Sequence, residues 1–383
     1  METMESKTNK MCTERIITLL FSITLLYSLN VNSFIKYIAY GSSMLIIGYT
    51  IFLGTKNKIK LDMMFFSLII YIFYNIFILF WGFSKSALYI VFQEFALLLF
   101  AFFATKLKMT EESINNIERI FSKLYYCVLI LTSMIFLIGK KNLLINNVSM
   151  TVYKAIFAIS IFPYAKSNKK TLFCISSMIF FYMIGERTSA LILVIIHILN
   201  MVLKKINTKT TYNIIFICVI IFTLSFINIY VKLPYTKLGI ELNEYSRKIS
   251  GENFFSGRNV IWKKILDSVQ NNKLLGLTYS NDIELYYETE LSTHNLYLWL
   301  ILNGGYILLI LFYIYMFSIW KKYFINIKKE KTRIVASYFV GFMILVNFEL
   351  LLLTNNFIVS LFMWFIIAIG ISLENNNCEQ NDF

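Results

Sequence analysis

The sequence predicts an all-α polytopic membrane protein with about 12 transmembrane helices and one large extracytoplasmic loop between the ninth and tenth. Three observations predict it. Hydrophobic residues make up 58% of the 383-residue chain, above the 45–50% usual in soluble domains. They fall in runs of roughly 15–22, enough at 1.5 Å per residue to cross about 30 Å of hydrocarbon. Only two prolines, Pro163 and Pro234, interrupt them. A lipid-facing barrel would need short alternating segments instead.

In order, the expected spans are 16–31, 34–53, 61–81, 87–104, 124–139, 150–165, 171–185, 189–203, 211–231, 294–319, 334–353 and 355–372. The first lacks a small-residue cleavage site and reads as an anchor, not a removed signal. The division is residues 1–231 as nine helices, 232–293 as the loop, 294–373 as three helices and 374–383 as a cytoplasmic tail. With so few glycines and prolines, helices broken in mid-membrane are not expected.

The net charge of +14 could suggest nucleic acid, but the basic residues sit in clusters between apolar runs. Twenty-two fall on alternate connections, from Lys7, Lys10 and Arg15 through Lys166, Lys169, Lys170, Lys204 and Lys205 to Lys331 and Arg333. The short connections opposite hold Lys36, Lys85, Lys140, Lys141 and Arg187. Positive charge in short loops marks the cytoplasmic side, so both termini are expected there. Cys127, Cys174 and Cys218 lie in apolar runs without metal-ligand spacing and read as small buried hydrophobes.

The long loop balances eight basic against eight acidic residues. Within it, Ile261, Trp262, Ile265, Leu266 and Val269 share an arc of about 140° at 100° per residue. That predicts an amphipathic helix near 258–270, capped by Ser256, lying on the membrane or on the bundle. Arg258 falls on its apolar arc. An arginine fork at a helix start suits a phosphate, or its stem simply lies along apolar surface.

Arg187 sits in a very short turn, Gly185-Glu186-Arg187, either paired with Glu186 or facing a ligand. His197 lies in a span and reads as a hydrogen-bonded packing group. His294 stands where the loop re-enters the membrane, and an imidazole there can take a proton from a hydroxyl or be merely structural. Asp282 and Glu284 read more as a solvated acidic face than as a metal site.

The progression Gly257-Arg258 … Trp262, Leu275-Gly276, Thr293-His294-Asn295-Leu296-Tyr297 and Asn303-Gly304-Gly305 resembles the O-antigen polymerase and ligase superfamily. Arg187 with Ser189 is similar to that family's outer-face arginine before a helix. The resemblance covers roughly residues 182–312, and Gly276-Leu277-Thr278 departs from it in lacking a second glycine. It implies metal-independent glycosyl transfer, without cofactor, from an undecaprenyl-diphosphate-linked oligosaccharide at the outer face of the bacterial cytoplasmic membrane. His294, Arg258 and Arg187 would be catalytic. Gly257, Asn295, Trp262 and Tyr297 would meet substrate.

The expected function is then a Wzy-type polysaccharide polymerase making capsule, exopolysaccharide or O-antigen, with a flippase and a chain-length regulator as partners. A ligase attaching finished glycan to an acceptor stays open. So does a precursor transporter, motivated by Glu94, Lys154, His197 and Glu349 inside apolar runs.

Overall fold

The computed structural model of the protein describes residues 33–57, 61–107, 109, 111–137, 150–250, 253–255, 257–279, 293–353 and 357–378. Among these there are fourteen α-helices and no strand. Helices α1 (Ser33–Thr55), α2 (Met63–Trp81), α3 (Lys85–Ala104) and α4 (Glu111–Leu137) open the described chain. Helices α5 (Met150–Ile159), α6 (Ile161–Lys166), α7 (Lys170–Met183), α8 (Arg187–Lys205) and α9 (Lys209–Lys232) follow. Helices α10 (Lys237–Ser250) and α11 (Arg258–Ser268) lie in the loop region. The last three are α12 (Leu296–Tyr323), α13 (Glu330–Leu345) and α14 (Phe357–Cys378).

Among the described residues, six segments are long and apolar enough to cross a bilayer: Tyr37–Thr55, Met63–Trp81, Lys85–Ala104, Arg187–Lys205, Lys209–Tyr235 and Leu296–Asn326. On α2, Phe66, Ile70, Phe73, Phe77 and Phe80 form an exposed stripe at helical spacing, the surface that hydrocarbon would cover. Helix α14 is buried from Phe357 to Ser372 and packs on α1, α3, α5, α12 and α13. It is the axis of the bundle, as expected for a helix apolar on every side. Cys174 is buried as expected, whereas Cys127 and Cys218 are exposed on their helices.

Several expected spans are cut differently. Span 16–31 lies outside the described residues. Span 124–139 is the end of α4, which begins at Glu111. Span 150–165 is two helices, because Pro163 has no N–H and its ring crowds the carbonyl four residues back, at Ile159, where α5 ends. Helix α13 stops at Leu345, and residues Val346 to Leu353 are non-helical yet mostly buried. Irregular backbone is tolerated at such depth only inside protein. Here Leu296 N–H donates to the Val346 carbonyl at 2.8 Å and Trp364 to the Leu352 carbonyl at 2.6 Å.

The expectation of unbroken helices also fails. Helix α12 is interrupted at Gly305, with φ 65° and ψ −166°, a conformation essentially reserved for glycine. The freed backbone groups are taken up by the segment before it. Leu277 N–H donates to the Leu302 carbonyl at 2.7 Å, and Tyr306 N–H to the Lys273 carbonyl at 2.9 Å. A Cβ on Gly305 would sit 2.1 Å from the Leu274 carbonyl oxygen. The position where a second glycine was missing, Thr278, takes φ 57° with its side chain in place.

Candidate functional site

The turn between α7 and α8 supplies the first part of the site. Helix α7 ends with Gly185 at φ +89°. Gly185 N–H donates to the Tyr182 carbonyl at 3.1 Å and Glu186 N–H to the Phe181 carbonyl at 2.8 Å. This pair of bonds turns the chain sharply at a helix end. It leaves Glu186 buried and starts α8 at Arg187, which is half-buried.

Glu186 is tied to Lys154 of α5 at 2.5 Å and accepts from the Ser189 hydroxyl at 3.2 Å. Lys154 also stands 3.4 Å from Glu349, in the irregular stretch after α13. Both Lys154 and Glu186 are about 95% buried. A buried charge is costly without a partner, and one ammonium here serves two carboxylates.

The second part is His294. Trp262 of α11, fully buried, donates its indole N–H to the Thr293 carbonyl at 2.9 Å. Asn295 caps α12 by accepting from Leu298 N–H at 3.0 Å, and its amide donates to the Asn347 carbonyl at 3.0 Å. His294 is pinned between these two anchors with φ +44°, uncommon for a residue with a Cβ. Burial and then the Arg258 charge push its imidazole below the ordinary 6.5, Lys154 adds to this, and Glu349 opposes it. The neutral ring is therefore favoured. Arg258, Lys154 and Glu349 thus all act electrostatically on His294, and Glu186 joins through Lys154.

Three polar side-chain atoms on these segments, Glu186 Oε1, Thr293 Oγ1 and Asn347 Oδ1, are buried without a hydrogen-bond partner among the described residues. Such atoms are expected to be satisfied, so each is a candidate ligand contact.

Arg258 begins α11 after Gly257, whose left-handed φ of +76° forms the N-cap without a side-chain bond. Ser256, the expected cap, lies outside the described residues. Along α11, Ile261, Trp262, Ile265 and Val269 are buried while Val260, Lys263, Lys264 and Asp267 are exposed. Its apolar face packs on α9 and α12, hence on the bundle.

The four residues expected to meet substrate are placed as follows. Trp262 and Tyr297 are fully buried, and Tyr297 donates its hydroxyl to the Met343 carbonyl at 2.6 Å. Asn295 is buried and spends both ends of its amide on cap and clamp. Gly257 is exposed, and its left-handed backbone makes the turn into α11. Trp262 and Asn295 thereby anchor the residues on either side of His294, and Gly257 precedes Arg258.

The residues that sequence reading missed as site members are Lys154, Glu186 and Glu349. Glu186 was read only as a possible partner of Arg187, while Lys154 and Glu349, charges inside apolar runs, were grouped with Glu94 and His197 as a transport pathway. That set disperses: Glu94 accepts from Tyr71 at 2.8 Å and Tyr279 at 3.3 Å. His197 pairs with Tyr164 at 2.9 Å and Thr171 at 3.2 Å. Asp282 and Glu284 lie outside the described residues.

The fold and site together define a multi-pass membrane protein, helical throughout its described elements, with a buried charged cluster within electrostatic reach of a histidine. A family model described as O-antigen ligase matches residues 172–313, consistent with the superfamily that the motifs resemble. The match takes in Glu186, Arg187, Arg258 and His294 but neither Lys154 nor Glu349. No curated protein matches the chain.

Proposed function

We propose that the protein is a polysaccharide polymerase that joins undecaprenyl-diphosphate-linked oligosaccharide units at the outer face of the bacterial cytoplasmic membrane. The observation that carries this reading is the neutral-leaning imidazole of His294, fixed within electrostatic reach of Arg258, Lys154 and Glu349. Family-level similarity supports glycan transfer in polysaccharide biosynthesis.

The chemistry follows from the charges. The acceptor sugar hydroxyl gives its proton to His294 as its oxygen bonds to the donor's anomeric carbon. The bond from that carbon to the phosphate oxygen breaks, and polyprenyl diphosphate leaves with the electron pair. Arg258 and Arg187, at helix starts where the backbone dipole is positive, stabilise that growing charge. Direct displacement inverts the anomeric centre. Glu349 and Glu186 hold Lys154, and Glu349 moderates the positive field felt by His294.

The test is the His294→Ala protein, produced at normal membrane levels in a strain lacking the native copy. Surface glycan should collapse to a single unit, and undiminished long chains would remove His294 from the reaction. A ligase would instead leave long chains made but unattached.

A further inference from the structure

A cavity of about 710 Å³ opens between α7, α8 and α13. Those helices link it to the candidate site. Arg187 begins α8 and Lys204 lies in its last turn, about 26 Å further along the helix. The cavity is therefore at the opposite end of the bundle, the end with the basic connections.

Its lining includes Lys169, Lys170, Lys204 and Arg333 against one carboxylate, Glu330. Lys170 pairs with Glu330 at 2.8 Å. That bond holds the Glu330 carboxyl below its usual range, and the charges of Arg333 and Lys204 act in the same direction, so the cations converge. Arg333 is 7% exposed, its guanidinium held by the Asn200 side chain at 3.1 Å and the Lys328 carbonyl at 3.2 Å. Lys169 and Lys204 have no counter-ion within ion-pair distance among the described residues. The excess is three positive charges: four cations less one carboxylate.

At the lip stand Leu172, Ile175 and Met201, each about half exposed or more. A buried guanidinium with exposed lysines around the opening, and apolar side chains running out along the helices, match a phosphate head and acyl chains. The geometry points to a binding site for the phosphate-bearing headgroup of an anionic membrane lipid, separate from the glycan-transfer site. Free phosphate shares the headgroup chemistry but has no use for the apolar lip.

Each cation near a bilayer surface raises affinity for anionic lipid about fivefold. Lys169→Gln/Lys204→Gln should therefore weaken binding about 25-fold, and both side chains are exposed, so folding should be kept. The full-length protein would be purified with phosphatidylglycerol or phosphatidylcholine of matched chains, and retained lipid measured by native mass spectrometry. Preferential retention of phosphatidylglycerol is expected, lost in this variant but not in Lys56→Gln/Lys123→Gln, which removes the same charge elsewhere. Equal retention of both lipids, or equal loss in both variants, overturns the proposal. So does displacement of the lipid by millimolar inorganic phosphate, which would assign the site to the free ion.

Discussion

Replacing Asn295 by serine separates two jobs that one amide performs. Serine can still cap α12, keeping the bond now made to Leu298 N–H at 3.0 Å. It is too short to reach the Asn347 carbonyl, 3.0 Å from the native amide. Depriving a buried acceptor of its donor costs about 1–3 kcal/mol, while the backbone bond from Leu296 to Val346 persists. The chain should therefore fold, with the stretch bearing Glu349 loosened. Asn295→Ala should lose about 1 kcal/mol more, the worth of a cap. Misplacement of reacting groups by about 1 Å costs on the order of 100-fold in rate, so turnover in Asn295→Ser should fall between about 10- and 100-fold. Because Glu349 raises the His294 pKa, its departure should also move the acid limb of the pH–rate profile to lower pH. The assay is glycan extension in membrane vesicles carrying the native lipid-linked substrate, alongside thermal unfolding in detergent. Lower stability with an unchanged rate and pH profile would refute the reasoning, leaving Asn295 a structural cap alone.

Four further outcomes are expected. The wild-type acid limb should lie below pH 6.5, since burial and Arg258 depress the His294 pKa and the neutral base persists as pH falls; a midpoint above 6.5 contradicts this. Arg258→Gln should move that limb upward by removing a positive charge while lowering the maximal rate, both read from the same profile. Lys154→Met should destabilise the protein by about 3–5 kcal/mol because two carboxylates lose their counter-ion, and adding Glu186→Gln should recover part of it in unfolding midpoints. Gly305→Ala should abolish folded protein in the membrane, since its methyl would meet the Leu274 carbonyl; normal yield and size-exclusion behaviour would count against the packing described.

How much of this was legible depends on what kind of physics fixed each part. The apolar face of α11 was readable because helical periodicity alone determines it. His294 and Arg258 were readable through their motif. The partners of His294 were not, since Glu349 and Lys154 lie 55 and 140 residues from it in sequence, separations given by 349 − 294 and 294 − 154. Only packing brings them together. The anchoring bonds of Trp262 and Asn295 were hidden for the same reason, since their partners Thr293 and Asn347 are supplied only by packing. Gly304-Gly305 was noticed but not read as a break, because the hydrogen bonds that make a break tolerable come from Lys273 to Leu277, a segment with no pattern of its own.

Tyr279 has a consequence for the order in which the molecule assembles. Its hydroxyl reaches Asn75 at 2.5 Å and Glu94 at 3.3 Å, both within helices made early in synthesis. Glu94 is fully buried, yet one of its donors is added 185 residues later. The hairpin of α2 and α3 is thus inserted with its carboxylate incompletely served. It reaches its final solvation only when the late segment docks, so the first helices wait on the last third of the chain.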